Sequence, residues 1–485
     1  MAHSKRAIAI LAVCQELTRT EANVLKTDLE SAGQAGTASG GKTSRRVRIG
    51  FLLGAIGPAA GLQIVTILML RFLTDSLAMT AATAGLLLAI VKIYDGLIDP
   101  AIGVASDRTS GKWGRRRPWM LGGAVILPVS VAALFSVPMF ASSYPVAIVL
   151  VLLLIHGTAY SMFVVPYTAI GSEVCDDYHE RSVLMSYRVY GGALGLLVAA
   201  TGAPWLLALW GPTAEGHAMM GVTIGVIIAV VGLAAAMILP ASGAPAAQRT
   251  VLSARKRLAL AWQNRPFRLI LLSHVSFQIA VAATVSSTAF FSRHVLLLSD
   301  LWLGSFYGLK VVGNIISMPM WLWIAKRFDK RNAYIAALAA YGLFNLSWLF
   351  ATPEDWIGLV LIRMFIIGVA MGGVILLGYS VVTDIMRYDN VQTGLRREGA
   401  FAGAISLIDK ISAAVGVALI GYFLTASGYV SSASGHGSRQ SAEALTAIYI
   451  AFAAVPGIAS LISMATIFGY SLKERDLRGE QSGPA

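Results

Sequence analysis

Lys92, Asp95 and Asp99 interrupt an otherwise apolar stretch at spacings of three and four residues. On a helix this places Lys92 beside Asp95 and Asp95 beside Asp99 on one face. A charge at bilayer depth costs about 2.5–3.5 kcal/mol on insertion scales, so charges kept there need a reason. Two carboxylates one turn apart repel each other, and a bound cation, or a proton on one of them, relieves the repulsion. The chemistry on offer is reversible cation loading at a site charged when empty and neutralised when full. A simpler arrangement pairs Lys92 with Asp95 and leaves Asp99 at the water interface before Pro100. Asp409 and Lys410 form a second charged pair in a later apolar stretch. Adjacent helical residues point roughly 100° apart. Lys410 is therefore able to reach across to the first two carboxylates and compete with a cation, unless it is satisfied by Asp409.

Other polar side chains in apolar stretches are candidates for holding a solute. Arg188 offers a planar fork of donors to hydroxyls or a carboxylate, or it snorkels to the interface. His274 and Gln278 lie one turn apart, Lys310 and Asn314 follow in the next stretch, and Arg363 in a later one. A lone histidine in an apolar helix also serves as a satisfied core residue. Tyr160 and Tyr167 present aromatic faces with hydroxyl tips, suited to stacking on sugar rings and equally to helix packing.

The elements that must position these groups are membrane spans. Charged residues make up 13% of the 485-residue chain and apolar ones 56%, whereas a soluble domain carries about 25% charged residues. The apolar stretches reach about 20 residues, the length that crosses a hydrocarbon core of about 30 Å. Lipid offers no partner for free backbone groups, so such stretches must be helical. Twelve spans are predicted, at 49–73, 79–104, 118–139, 145–170, 186–209, 218–239, 267–292, 301–325, 332–351, 355–383, 399–425 and 445–470. They are numbered one to twelve below. The segment 241–266 is the longest connection and divides two six-helix halves, 47–240 and 267–472. Residues 1–46 read as a disordered cytoplasmic tail, and 473–485 as a second cytoplasmic tail. The two cysteines, Cys14 and Cys175, match no metal or redox spacing.

Lys and Arg concentrate in alternate loops: Arg45, Arg46 and Arg48; Arg108 to Arg117; Arg249 to Arg265; Lys326 to Arg331; Arg396 and Arg397; Lys473 to Arg478. The opposite loops hold chiefly Arg71, Arg293 and Arg439. The bias predicts that both termini are cytoplasmic, and it accounts for the net charge of +13 without nucleic acid. The loop after span two runs Gly103, Asp107, Arg108, then Gly114, Arg115, Arg116 and Arg117. It resembles the cytoplasmic loop motif of the major facilitator superfamily, where such loops form gating contacts between helix ends. Lys326 to Arg331, after span eight, is a degenerate echo. Paired halves imply a site at their interface.

Taken together, Lys92-Ile-Tyr-Asp95-Gly-Leu-Ile-Asp99-Pro100, Trp113 to Trp119, Pro166-Tyr167, Glu180-Arg181, Thr383 to Tyr388, Arg396-Arg397-Glu398-Gly399 and Lys410 resemble the glycoside–pentoside–hexuronide:cation symporter family. The melibiose permease is a member. The resemblance covers about residues 50 to 470. It implies a major facilitator fold, with Asp95 and Asp99 as cation-site carboxylates, Ser161 as a cation-liganding hydroxyl, Lys410 linked to that site and Arg188 at the sugar site. Ile98 replaces an asparagine that helps bind sodium in the melibiose permease, which makes protons more plausible as the driving ion. Ala59 and Val164 stand where that permease has sugar-binding aspartates, so melibiose itself is not the expected cargo.

The expectation is therefore a monomeric, secondary active, H⁺- or Na⁺-coupled symporter of a sugar-like solute in a bacterial inner membrane. It needs no cofactor beyond the coupling ion, and its partners are the solute and the lipid bilayer. A carrier of lysophospholipid or another amphiphile, and a non-transporting sensor, are the alternatives. No nucleotide loop, metal-ligand cluster or catalytic triad points to an enzyme.

Overall fold

The computed structural model describes residues 43–109, 112–140, 144–174, 178–240, 265–393, 398–430 and 440–470. Most of the expected tails and of the central connection, together with Arg396, Arg397 and Arg439, lie outside the described residues. Twelve helices are long and apolar enough to cross a membrane. Spans one to six are Arg45–Asp75, Ala81–Arg108, Arg117–Phe140, Pro145–Gly171, Val183–Trp210 and Ala214–Ile238. Spans seven to twelve are Pro266–Val295, Leu301–Phe328, Lys330–Phe350, Ile357–Asp389, Ala404–Ala426 and Ala442–Ile467.

Each predicted span has its counterpart within about six residues at either end, and side-chain contacts account for two of the shifted starts. Span six starts at Ala214 because Thr213 caps it, its hydroxyl accepting from the Gly216 amide at 3.1 Å. Span ten starts at Ile357 because Asp355 is held outside the helix. Its carboxylate accepts from Thr352 Oγ1 at 2.9 Å and Arg363 Nη1 at 2.8 Å. Arg363 is thereby accounted for, with its guanidinium 5.3 Å from the Trp348 ring centre.

Lipid provides no hydrophobic drive between helices, so close approach rests on small residues. Spans two and eleven, from opposite halves, run antiparallel with Gly85 against Gly421. Above that contact the Ala82 amide donates to Thr425 Oγ1 at 2.8 Å. Spans five and eight meet where Thr201 Oγ1 donates to the Gly304 carbonyl at 3.1 Å. These contacts close the halves against each other at the face remote from the basic loops.

At the basic face the two halves repeat one device. Arg117 donates to the carbonyls of Ala236, Met237 and Leu239 at 3.0, 3.1 and 2.7 Å, capping the end of span six. Arg331 donates to the Ile467 and Phe468 carbonyls at 3.4 and 2.6 Å, capping the end of span twelve. The last carbonyls of a helix lack internal partners and carry partial negative charge, which a guanidinium satisfies. The degenerate loop after span eight thus keeps the arginine that does this work. Arg116 also pairs with Asp107 at 3.0 Å, and Lys330 with Asp384 at 2.8 Å.

A side chain at position 85 would bring Cβ to 2.9 Å from the Val417 carbonyl and 3.2 Å from the Gly421 Cα. Gly85→Val is expected to separate spans two and eleven and to cost about 1–3 kcal/mol through overpacking. Thermal unfolding in detergent should show a lower midpoint; an unchanged midpoint would contradict this packing.

Candidate functional site

Span two carries the carboxylates to the surface it shares with spans four and eleven. Asp95 is 8% exposed, and its Oδ1 is buried without a hydrogen-bond partner. An unsatisfied buried acceptor costs about 1–3 kcal/mol, and more when charged. Gly157 of span four faces that oxygen, and even a methyl group there would overlap it. The glycine is what allows the carboxylate to sit between the helices.

Asp99 lies one turn further along and is satisfied from two directions. Ser161 of span four donates to its Oδ1 at 2.5 Å. Lys410 of span eleven forms an ion pair with its Oδ2 and also donates to the Asp95 backbone carbonyl at 2.7 Å. The long lysine stem passes Gly96, with its Cδ in ordinary contact range of that position. Lys410 thus crosses from one half to the other, and the pair with Asp409 is not made. Asp409 turns to span seven, where it pairs with His274 Nε2. The divergence follows from the angle between neighbouring residues on a helix.

Lys92 makes no ion pair with Asp95 among the described residues. It lines a cavity of about 110 Å³ with Thr66, Gln278 and Ser286. Gln278 also borders a second cavity of about 160 Å³, lined by His274, Asp409, Tyr334 and the exposed Tyr379. The glutamine is the shared wall between a cavity at the junction of the halves and one inside the second half. Aromatic faces next to a carboxylate, an imidazole and an amide match the needs of a polyhydroxylated ring.

Arg188 of span five is half-buried, with its guanidinium 5.9 Å from the Tyr167 ring centre, a cation–π contact. The Tyr167 hydroxyl donates to the Phe51 carbonyl at 2.6 Å, so this tyrosine offers its ring and not its hydroxyl. Tyr160 lies within electrostatic reach of Asp99, Asp95 and Arg188. Lys310 is buried in span eight with its backbone packed on Gly368 of span ten. Asn314 packs its backbone on Gly372 in the same interface. Neither borders the two cavities above. Of the loop residues, Asp107, Arg116 and Arg117 make the contacts described, and Gly114 takes a left-handed φ of +78° that suits glycine. Gly103 packs near Val165 of span four. Arg108 ends span two, and Arg115 is buried at the loop.

Sequence reasoning did not single out Gly157, although a glycine inside an apolar helix marks close approach. It also passed over Asp75. This carboxylate, at the end of span one, accepts from Tyr429 Oη at 3.0 Å and pairs with Arg71 at 3.5 Å. Tyr429 also meets His294 Nε2 at 3.2 Å. Burial, reinforced by the Asp75 charge, pushes the Tyr429 phenol well above its ordinary range, so it stays a donor to Asp75. The Arg71–Asp75 spacing of four residues was the available signal.

The sequence pattern of the MFS/sugar transport protein family matches residues 50–474. An uncharacterized symporter of Synechocystis is 26% identical, over 84% of this chain and 91% of its own length. An isoprimeverose transporter of Lactiplantibacillus pentosus is also 26% identical, over 84% of this chain and 85% of its own. Among solved structures, a D-xylose-proton symporter superposes with a TM-score of 0.63 at 13% identity, covering 90% of this chain and 98% of the other. With twelve membrane-spanning helices in two halves and a pattern match over most of its length, the chain belongs to the MFS/sugar transport protein family.

Proposed function

We propose that the protein is a secondary active symporter that carries a sugar or glycoside-like solute together with H⁺ or Na⁺. The observation that carries this reading is Lys410, which crosses the interface between the halves to neutralise Asp99 while Asp95 keeps an unpartnered oxygen. Lys92 and Lys410 balance the two carboxylates. A cation that joins Asp95 and Asp99 leaves excess positive charge, and this is relieved when Lys410 lets go of Asp99. Lys410 belongs to the other half, so releasing it unfastens span eleven from span two at that level. Ion loading thereby biases the equilibrium between arrangements of the halves, as alternating access requires.

In this reading Asp95, Asp99 and Ser161 hold the ion, and Lys410 reports its presence to the second half. Lys92, Gln278 and His274 hold the solute at the two cavities they line; Arg188 and Tyr160, which border neither cavity, hold it from the first half, and Tyr167 supports Arg188. Lys310 and Asn314 act on the spacing of spans eight and ten. The halves are shut at the face remote from the basic loops, which corresponds to a carrier open to the cytoplasm when both termini are cytoplasmic. The setting is a bacterial inner membrane, and a monomer contains every group named. An isoprimeverose-carrying relative favours a pentose-containing glycoside among the solutes to test.

Uptake of radiolabelled glycosides, pentoses and uronic acids into expressing cells, with and without a proton or sodium gradient, tests this reading. One solute should accumulate with the gradient, and Asp95→Asn and Asp99→Asn should each lower accumulation at least about tenfold, the factor set by 1.4 kcal/mol. No sugar flux from protein shown to be in the membrane would overturn it. Gly157→Ala should push Asp95 from its position and raise the cation concentration for half-maximal uptake about tenfold. An unchanged cation dependence would place the ion elsewhere. Arg188→Ala should raise the solute concentration for half-maximal uptake more than it changes the cation requirement; equal shifts in both would place Arg188 in the ion site.

A further inference from the structure

Two arginines resist the logic that explains the other basic residues. Lys and Arg gather at one face, as orientation requires, yet Arg71 and Arg293 stand at the opposite one. Arg71 is 8% exposed near the end of span one. Arg293 lies in the π-helical turn Phe291–Val295 that ends span seven, a local distortion frequent at functional sites. Both line one open vestibule of about 1040 Å³, bordered by the ends of spans one, five and seven and the starts of spans eight and twelve. Both halves of the protein therefore contribute to it.

The vestibule is positive. None of its lining residues is acidic, and His294, Ser299 and Gln440 supply neutral polar groups beside apolar walls from Leu207, Leu298 and Leu445. Arg71 has Asp75 as an ion-pair partner. Arg293 has neither a hydrogen bond nor an ion pair among the described residues. With Asp75 paired to Arg71, the half-buried Arg293 guanidinium leaves the vestibule with one positive charge that has no ion-pair partner among the described residues. A planar oxyanion is the natural complement, because the Arg293 guanidinium offers it a fork of donors and Arg71 adds positive charge to the same wall.

We propose that this vestibule is an oxyanion site, filled by the carboxylate, sulfonate or phosphate of a soluble solute. Its occupant engages Arg293 from the second half and Arg71 from the first. It therefore holds the halves together at the face where Asp75 and Tyr429 already join span one to the end of span eleven, and it favours the arrangement closed at that face. A headgroup phosphate has the same chemistry. The burial of Arg71 and the position of the vestibule between the halves favour a solute that arrives from water.

The test uses the purified full chain in a neutral detergent, with Cys14 and Cys175 replaced by serine and Ser299→Cys introduced as a reporter. Ser299 makes no side-chain capping bond, so the replacement leaves the start of span eight intact. The rate of maleimide labelling is measured with D-glucuronate, with D-glucose, with chloride at matched ionic strength, and with added phosphatidylglycerol. Glucuronate is expected to slow labelling at least threefold, glucose and chloride to leave it unchanged, Arg293→Gln to abolish the protection and Arg293→Lys to retain part of it. Equal protection by glucose or chloride, or protection that survives Arg293→Gln, would overturn the site. Protection by the anionic lipid alone would assign the vestibule to headgroups and overturn the solute reading. The assay needs no transport, so it stands or falls independently of the symport mechanism.

Discussion

One ion pair fastens the two halves of this molecule together at the level of the carboxylates. Asp99 is on span two of the first half and Lys410 on span eleven of the second, and each is the other's charge partner. Both side chains are only half-buried, yet at bilayer depth a charge costs about 2.5–3.5 kcal/mol on insertion scales, so each is better kept with a partner. The pair therefore either stays closed, holding the halves together, or opens when something else neutralises both ends. In the proposed mechanism a cation at the carboxylates and a polar solute near Lys410 together meet that condition, so that ion and solute are coupled through one electrostatic requirement, with no separate signal between two distant sites. Asp95 makes the arrangement responsive, since its unpartnered oxygen keeps the carboxylate pair short of full satisfaction.

The surrounding structure holds this interaction in place from both ends. At the basic face, Arg117 and Arg331 fix the ends of spans six and twelve by the same carbonyl contacts. At the opposite face, Gly85 and Gly421 bring spans two and eleven together, and the Asp75–Tyr429 bond adds a polar fastening. Between these levels Gly157 clears space for Asp95. Small residues thus do two jobs in span two and its neighbours: they allow helices to approach, and they make room for a charged side chain where the helices meet.

Much of this was legible in the sequence, because the bilayer imposes strong rules. Length and hydropathy locate all twelve helices, and the spacing of Asp95 and Asp99 identifies the charged face. The 100° step between Asp409 and Lys410 leaves Lys410 free to cross, and the structure has it crossing. What spacing cannot state is which partner a side chain finds on another helix. Lys92 faces a cavity with Gln278 instead of Asp95, Asp409 takes His274, and the Tyr167 hydroxyl is committed to a backbone carbonyl. Each depends on the rotation and depth of a neighbouring helix, and these are set by packing across the whole bundle. Arg71 and Arg293 show the same limit: far apart in the chain, they share one vestibule only because the halves close there.

The most direct test separates coupling from transport itself. Reconstituted protein would be assayed twice with the same solute: for concentrative uptake driven by an ion gradient, and for exchange of labelled against unlabelled solute with ions equal on both sides. If Asp95, Asp99 and Lys410 form the coupling device, Asp95→Asn should abolish concentrative uptake while exchange continues. Concentrative uptake that persists in Asp95→Asn at the wild-type level would contradict the account.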